Sequence, residues 1–174
     1  WLERPGAGSD RMRVYGLLNG PSVAGAYRFD IKPGQKTQID VTVELFFRKA
    51  VDQPGLAPLT SMFYYGENTP RPAGEWRPQV HDSNGLLIHD QDSDEWLWRP
   101  LVNPSRLRLS YLQVKRLGGF GLIQRDTEFY QFEDAEARYE LRPSTWVSPS
   151  QGWADGEVVL VEIPTDSETN DNIV

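Results

Sequence analysis

Acidic side chains outnumber basic ones in this chain, 25 to 18, so abundance does not single out a catalytic carboxyl and position must. Two aspartates lie in polar bends beside apolar strand segments. Asp82 sits in the run His81-Asp82-Ser83-Asn84-Gly85-Leu86. Arg77-Pro78 holds the incoming chain extended, and Leu86-Leu87-Ile88 continues it as a short strand. Asp171 sits in Glu168-Thr169-Asn170-Asp171-Asn172, between the apolar stretch Val158 to Ile163 and the closing Ile173-Val174. Two carboxyls in different surroundings can divide acid–base work, one donating a proton and the other accepting one. Residues that do chemistry concentrate at such loop positions, although an aspartate in a bend also commonly bonds a backbone amide simply to fix the bend. Glu168, three residues before Asp171, is placed to act on it by like-charge proximity or as a link in a proton relay. His81 beside Asp82 either tunes that carboxylate or is a hydrogen-bonded structural histidine.

The other chemistry-bearing patterns fall short of a site. His81 and His89 are the only histidines, too few for a three-histidine zinc centre. Asp90-Gln91-Asp92-Ser93-Asp94-Glu95 opens like a calcium loop. It lacks the glycine at the sixth position and the glutamate at the twelfth, where Glu95 and Leu101 stand. Gly118-Gly119-Phe120-Gly121 has no lysine or hydroxyl partner for a phosphate loop and reads as a turn into a strand. No metal and no cofactor is expected. Trp76, Trp96, Trp98, Trp146 and Trp153 offer flat faces on which pyranose rings can stack, but tryptophan is equally a core residue. Trp96 and Trp98 share one face of a strand and are read mainly as packing.

The elements that must position these residues are strands. With 39% hydrophobic residues, 13 Pro and 15 Gly, the chain has enough apolar material for a globular unit, and no long segment repeats with a helical period. An all-β fold of sandwich type is expected. Arg13 to Leu18 and Ala26 to Ile31 form a hairpin across Asn19-Gly20-Pro21-Ser22. Thr37 to Arg48 alternates so that Ile39, Val41, Val43, Leu45 and Phe47 share one face, which should be buried while the other is largely wet. Further strands are expected over Met62 to Tyr65, Leu86 to Ile88, Trp96 to Trp98, Leu107 to Val114, Phe120 to Gln124, Tyr139 to Val147 and Val158 to Ile163. A short helix fits Asp126 to Ala137, capped by Asp126 or Thr127. The net charge of −7 and the scattered arginines argue against nucleic acid as a partner. No apolar run approaches the roughly 18 residues of a membrane span, and no export signal opens the chain. The absence of cysteine excludes disulfides and thiolate chemistry.

Several blocks follow one another in order: Pro58 to Phe63, the run His81 to Leu86, Glu95-Trp96-Leu97-Trp98-Arg99-Pro100-Leu101 with Asn103-Pro104, Gly119 to Gln124, Tyr139 to Ser144, Glu162 to Thr165 and Glu168 to Val174. In this they resemble the periplasmic glucan biosynthesis proteins of Gram-negative bacteria, the MdoG, OpgG and OpgD family. Asp94 departs from the turn that the family usually places before Glu-Trp. The resemblance implies a large antiparallel β-sandwich related to galactose mutarotase, of which residues 1–174 are an incomplete part. A signal peptide and further strands would precede Trp1, and a smaller immunoglobulin-like domain would follow Val174. It implies a periplasmic location, β-1,2-glucan as partner, no stable membrane insertion and room for a homodimer of the full-length parent. It also implies an endo-acting, inverting β-1,2-glucan hydrolase in osmoregulated periplasmic glucan synthesis. Asp171 would be its general acid and Asp82 its general base. Tyr139 would be a further active-site position, with Glu168, His81 and Trp76 in supporting or substrate-binding roles. Two rivals remain: a non-catalytic glucan-binding or scaffolding protein, and a β-1,2-glucan transglycosylase. A piece of such a sandwich made alone is expected to be inactive, its open sheet edges inviting aggregation.

Overall fold

A computed structural model describes residues 1–151 and 153–174. The fold is all-β and antiparallel, with eleven strands among the described residues, as expected of part of a β-sandwich. It divides into two compact units, Trp1–Gly55 and Leu56–Val174.

The first unit is one sheet in sequential order, β1 (Leu2–Glu3), β2 (Met12–Asn19), β3 (Val23–Lys32) and β4 (Gln38–Phe47). The β2–β3 hairpin turns where the Asn-Gly-Pro-Ser signal places it, closed by Gly20 N donating to Val23 O at 2.9 Å. Register aligns Val14, Phe29 and Val41 across three strands, and Gly16, Tyr27 and Val43 beside them, making one apolar face. Arg13 and Arg28 converge on Asp30 of the sheet at 2.6 and 2.9 Å. The expectation that the apolar face of β4 is buried is not met: Val41 is 54% exposed and Phe47 52%. Alternation tells which face a strand offers to a neighbouring layer, and the first unit is a single sheet with no second layer of its own.

The second unit carries the candidate site. Its five-stranded sheet contains β7 (Gly85–Asp90), β8 (Glu95–Pro100), β9 (Arg108–Ile123), β10 (Thr145–Val147) and β11 (Trp153–Glu162). β5 (Phe63–Tyr65) and β6 (Val80–His81) form a separate pair. The two are joined by the segment Asn172–Val174, which pairs with the end of β11 through Val161 and Ile163 and with Ser61 through Ile173. The backbone therefore runs edge to edge from β7 through β9, β11, Ile173 and Ser61 to Asp82, which leads back into β7. This curl encloses a core of Phe63, Leu86, Ile88, Leu101, Val114, Leu117, Leu122, Val158, Leu160 and Ile173. Each such side chain contributes roughly 1.5–3 kcal/mol on burial. A smaller cluster of Met62, Tyr65, Val80, Phe132 and Tyr139 packs separately.

Three local expectations are corrected. The segments Leu107 to Val114 and Phe120 to Gln124 are one strand, β9, and the glycines between them are not a turn. A Cβ on Gly118 would lie 2.5 Å from His89 Nδ1, one on Gly119 2.4 Å from the Trp146 ring, and one on Gly121 2.2 Å from Thr145 O. These glycines let Trp146 and His89 lie close against the strand. Tyr139 to Val147 is not one strand: Tyr139–Leu141 is a 3₁₀ turn, entered through Arg138 at φ +52°, and only Thr145–Val147 is extended. Asp126 to Ala137 holds a single 3₁₀ turn, Phe129–Gln131, because the Asp126 carboxylate accepts from Gln79, Asn84 and Gln131 instead of capping a helix. Asp90 to Glu95 is the β7–β8 hairpin turn, with Asp94 at φ +57°.

Gly121→Ala should lower stability by about 1–3 kcal/mol, since β10 has to move off β9. Gly156→Ala, where nothing lies within 4 Å of the added carbon, should change it by less than about 0.5 kcal/mol. Urea denaturation of both variants checks the pair.

Candidate functional site

The segment Ser61 to Phe63, which leads into β5, is the axis of the site. Ser61 and Ile173 exchange two backbone hydrogen bonds of 3.0 Å. The Asn172 side chain seals the same junction: Oδ1 accepts from Phe63 N at 2.8 Å, and Nδ2 donates to Phe63 O and Ile163 O. On the other side, Asp82 N donates to Met62 O at 2.8 Å. Asp82 and the Asp171–Ile173 segment thus flank one strand. Two strand spacings, about 9–10 Å, separate the backbones of Asp82 and Ile173.

Each residue of the Asp82 bend has a physical reason. Ser83 Oγ lies 3.0 Å from Ser61 Oγ. Asn84 bonds at both ends of its amide, Nδ2 to Asp126 at 2.7 Å and Oδ1 from Arg125 N at 2.6 Å. Gly85 leaves room for Trp98, whose ring a Cβ would meet at 2.3 Å. The bend is therefore rigid, as its side-chain-to-backbone bonding suggested, and it holds the Asp82 carboxyl about a quarter exposed. Burial raises the pKa of that carboxyl above the ordinary aspartate value, the guanidinium of Arg142 opposes the rise, and the charge of Asp171 adds to it. Arg142 Nε stands 3.2 Å from Asp82 Oδ1 without hydrogen-bond alignment, so that oxygen has no hydrogen-bond donor from the protein. Arg142 also lies over the Tyr139 ring, 5.6 Å from its centroid.

Tyr139 Oη donates to Glu168 Oε2 at 2.8 Å, and burial together with that bond pushes the phenol pKa up. The same Glu168 oxygen accepts from Arg77 Nη1 at 2.7 Å. Asp82, Tyr139, Glu168 and Asp171, scattered in the chain, are gathered on one side of the second unit. Arg77 and Arg142 belong with them and were missed. In the sequence they are two of many dispersed arginines, and only their proximity to Pro78 and Tyr139 could have drawn notice.

The remaining two positions stand apart. Trp76 is 63% exposed, next in the chain to Arg77, and is available to a ligand. His81 is fully buried, stacked on Phe63 at 5.2 Å and edge-on to Phe132, which fits the reading of a hydrogen-bonded structural histidine better than a contact with substrate. Its Nε2 meets Gln79 Oε1 at 3.0 Å, and burial lowers its pKa to about 4 against a weaker pull from Asp126. Among the other tryptophans, Trp96 is 58% exposed yet sandwiched with His89 and Trp146.

A comparison with protein-family models matches residues 1–174 to the family described as "Periplasmic glucan biosynthesis protein, MdoG". The chain belongs to that family. The MdoG match covers both units, and the resemblance that the sequence blocks carried is thereby borne out. Periplasmic glucan biosynthesis is the process this family serves. Among the described residues no helix is long and apolar enough to cross a membrane.

The buried His81 makes a pH prediction. An unfolded histidine titrates near 6.5 and the folded one near 4, so between these values the unfolded chain binds the extra proton. The stabilisation is fully present above about pH 6.5 and is lost as pH falls toward 4, by up to about 3 kcal/mol. Denaturation at pH 7.5 and 4.5 should show this loss in the wild type and a smaller one in His81→Gln. Equal losses would contradict the account.

Proposed function

We propose that the chain carries the acid–base pair of an inverting endo-β-1,2-glucan hydrolase, working in the periplasm during osmoregulated glucan synthesis. The observation that carries this reading is that Asp82 and the segment carrying Asp171 flank Ser61 to Phe63, beside Tyr139 and Glu168, near enough for the charge of Asp171 to act on Asp82.

Asp171 donates its proton to the glycosidic oxygen as the bond from that oxygen to the anomeric carbon breaks. A water attacks the anomeric carbon from the opposite face and gives its proton to Asp82. The products are a shortened glucan with an inverted, α-configured reducing end and a glucan with a new free hydroxyl. Exchange with solvent returns the two carboxyls to their starting forms. Inverting pairs stand roughly 6.5–9.5 Å apart to admit the water. Asp82 and Asp171 lie close enough for the charge of one to act on the other, and an ordered water or a sugar hydroxyl can bridge a wider gap.

The division of roles is the one that the family resemblance implies. Burial raises the pKa of Asp82 and the guanidinium of Arg142 only partly offsets it, so the carboxylate, once ionised, is a stronger base than an exposed one.

The test is incubation of the full-length protein with linear β-1,2-glucan. Shorter products with an initial α-anomer by NMR are expected, and Asp82→Asn and Asp171→Asn should each lose roughly 10²–10⁴-fold in kcat. No shortening, or full rate in Asp171→Asn, overturns the reading. Glucan binding that survives both substitutions without turnover supports a binding or scaffolding protein instead, and longer products by mass support transglycosylation.

A further inference from the structure

Arg77 is bonded more heavily than a structural ion pair requires. Its Nε and Nη2 take the two oxygens of Glu75 at 2.9 and 2.7 Å. Its Nη1 donates to Asp134 Oδ2 and to Glu168 Oε2, both at 2.7 Å. One guanidinium thus answers three carboxylates in surroundings where its own side chain is 13% exposed. Replacing such ionic clusters by apolar packing is often neutral or stabilising, so stability alone is a weak reason for one.

The three carboxylates belong to three different pieces of the site. Glu75 also accepts from Trp76 N and Arg77 N, which fixes the segment leading through β6 to Asp82. Asp134 accepts from Glu136 N and Ala137 N, which shapes the turn that delivers Tyr139. Glu168 accepts from Tyr139 Oη and lies on the segment that ends in Asp171. That segment is tied at one end by Asn103 to Thr165 and at the other by Asn172. Between those ties, Glu168 is its link to Arg77 and Tyr139. A lysine ammonium offers three donors from one point and cannot span these partners as the planar fork does.

We propose that Arg77 is a positioning residue of the acid pair: through Glu168 it aims the Tyr139 hydroxyl and fixes the segment that carries Asp171. With its hydrogen committed to Glu168, the Tyr139 oxygen presents lone pairs to a sugar hydroxyl or to the attacking water. The charged and titratable groups facing this assembly are Glu75, Asp134, Glu168, Asp82 and Arg142. The kinetic side of the proposal rests on the hydrolase reading; the positional side does not.

The test uses the full-length protein with Arg77→Lys, Glu168→Gln and the double variant. On linear β-1,2-glucan, Arg77→Lys should lose about 30-fold or more in kcat with KM changed less than about 3-fold. In the Glu168→Gln background the same lysine substitution should cost less than about 3-fold, because the link it acts through is already broken. An equal loss in both backgrounds marks a general structural role and overturns the proposal. Amide hydrogen exchange over 165–171 should speed up about tenfold or more in Arg77→Lys while β9 and β11 stay protected, and unchanged exchange also overturns it. If Arg77→Lys does not fold, Glu168→Gln alone must show the faster exchange and the kcat loss, and failing both it overturns the proposal. If the wild type cleaves no glucan, the hydrolase reading falls, and the exchange result alone decides the clamp.

Discussion

The geometry of the site depends on one arrangement, the segment Ser61 to Phe63 hydrogen-bonded on one side to the Asn172 side chain and the Ile173 backbone and on the other to Asp82. Without it, two carboxyls far apart in the chain would have no fixed separation. The arrangement is buried, with Asn172, Ile173, Ser61 and Phe63 each less than 5% exposed. An unpaired backbone or amide group there would leave a buried polar atom without a partner, at about 1–3 kcal/mol each. The amide of Asn172 meets that demand on three counts, which is why an asparagine, with donors and an acceptor on one planar group, stands next to Asp171.

Around this frame the electrostatics are uneven. Two arginines, Arg77 and Arg142, face five carboxylates: Glu75, Asp82, Asp134, Glu168 and the nearby Asp171. Arg142 moderates Asp82, whereas Arg77 is spent on the carboxylates that hold the surrounding loops. Excess negative charge left near Asp82 acts in the same direction as its burial, toward holding a proton.

What the sequence disclosed follows from how local each signal is. The Asn-Gly-Pro-Ser hairpin and the alternation in β4 are written in adjacent residues, and both strands formed where they were read. Whether β4 is covered is a property of another layer, so its exposure was not legible. Gly118, Gly119 and Gly121 resembled a turn because glycine usually marks one. Their actual reason, the rings of His89 and Trp146, comes from neighbouring strands. The stretch after Arg138 looked extended by composition, but a left-handed residue and a 3₁₀ turn intervene. At the site, Asp82 and Asp171 could be picked out by their bends and by the family resemblance. Arg77 and Arg142 could not, because an arginine that clamps a site and one that is merely solvated look alike until their partners are known.

The central claim, that Asp82 and Asp171 act on one another across a single strand, has a direct test in the carboxyl titration of Asp82 followed by carbon-13 NMR in the wild type and in Asp171→Asn. Removing the neighbouring charge should lower the Asp82 pKa relative to the wild type. A titration unmoved by the substitution would mean that the two groups do not share a site and would contradict the account.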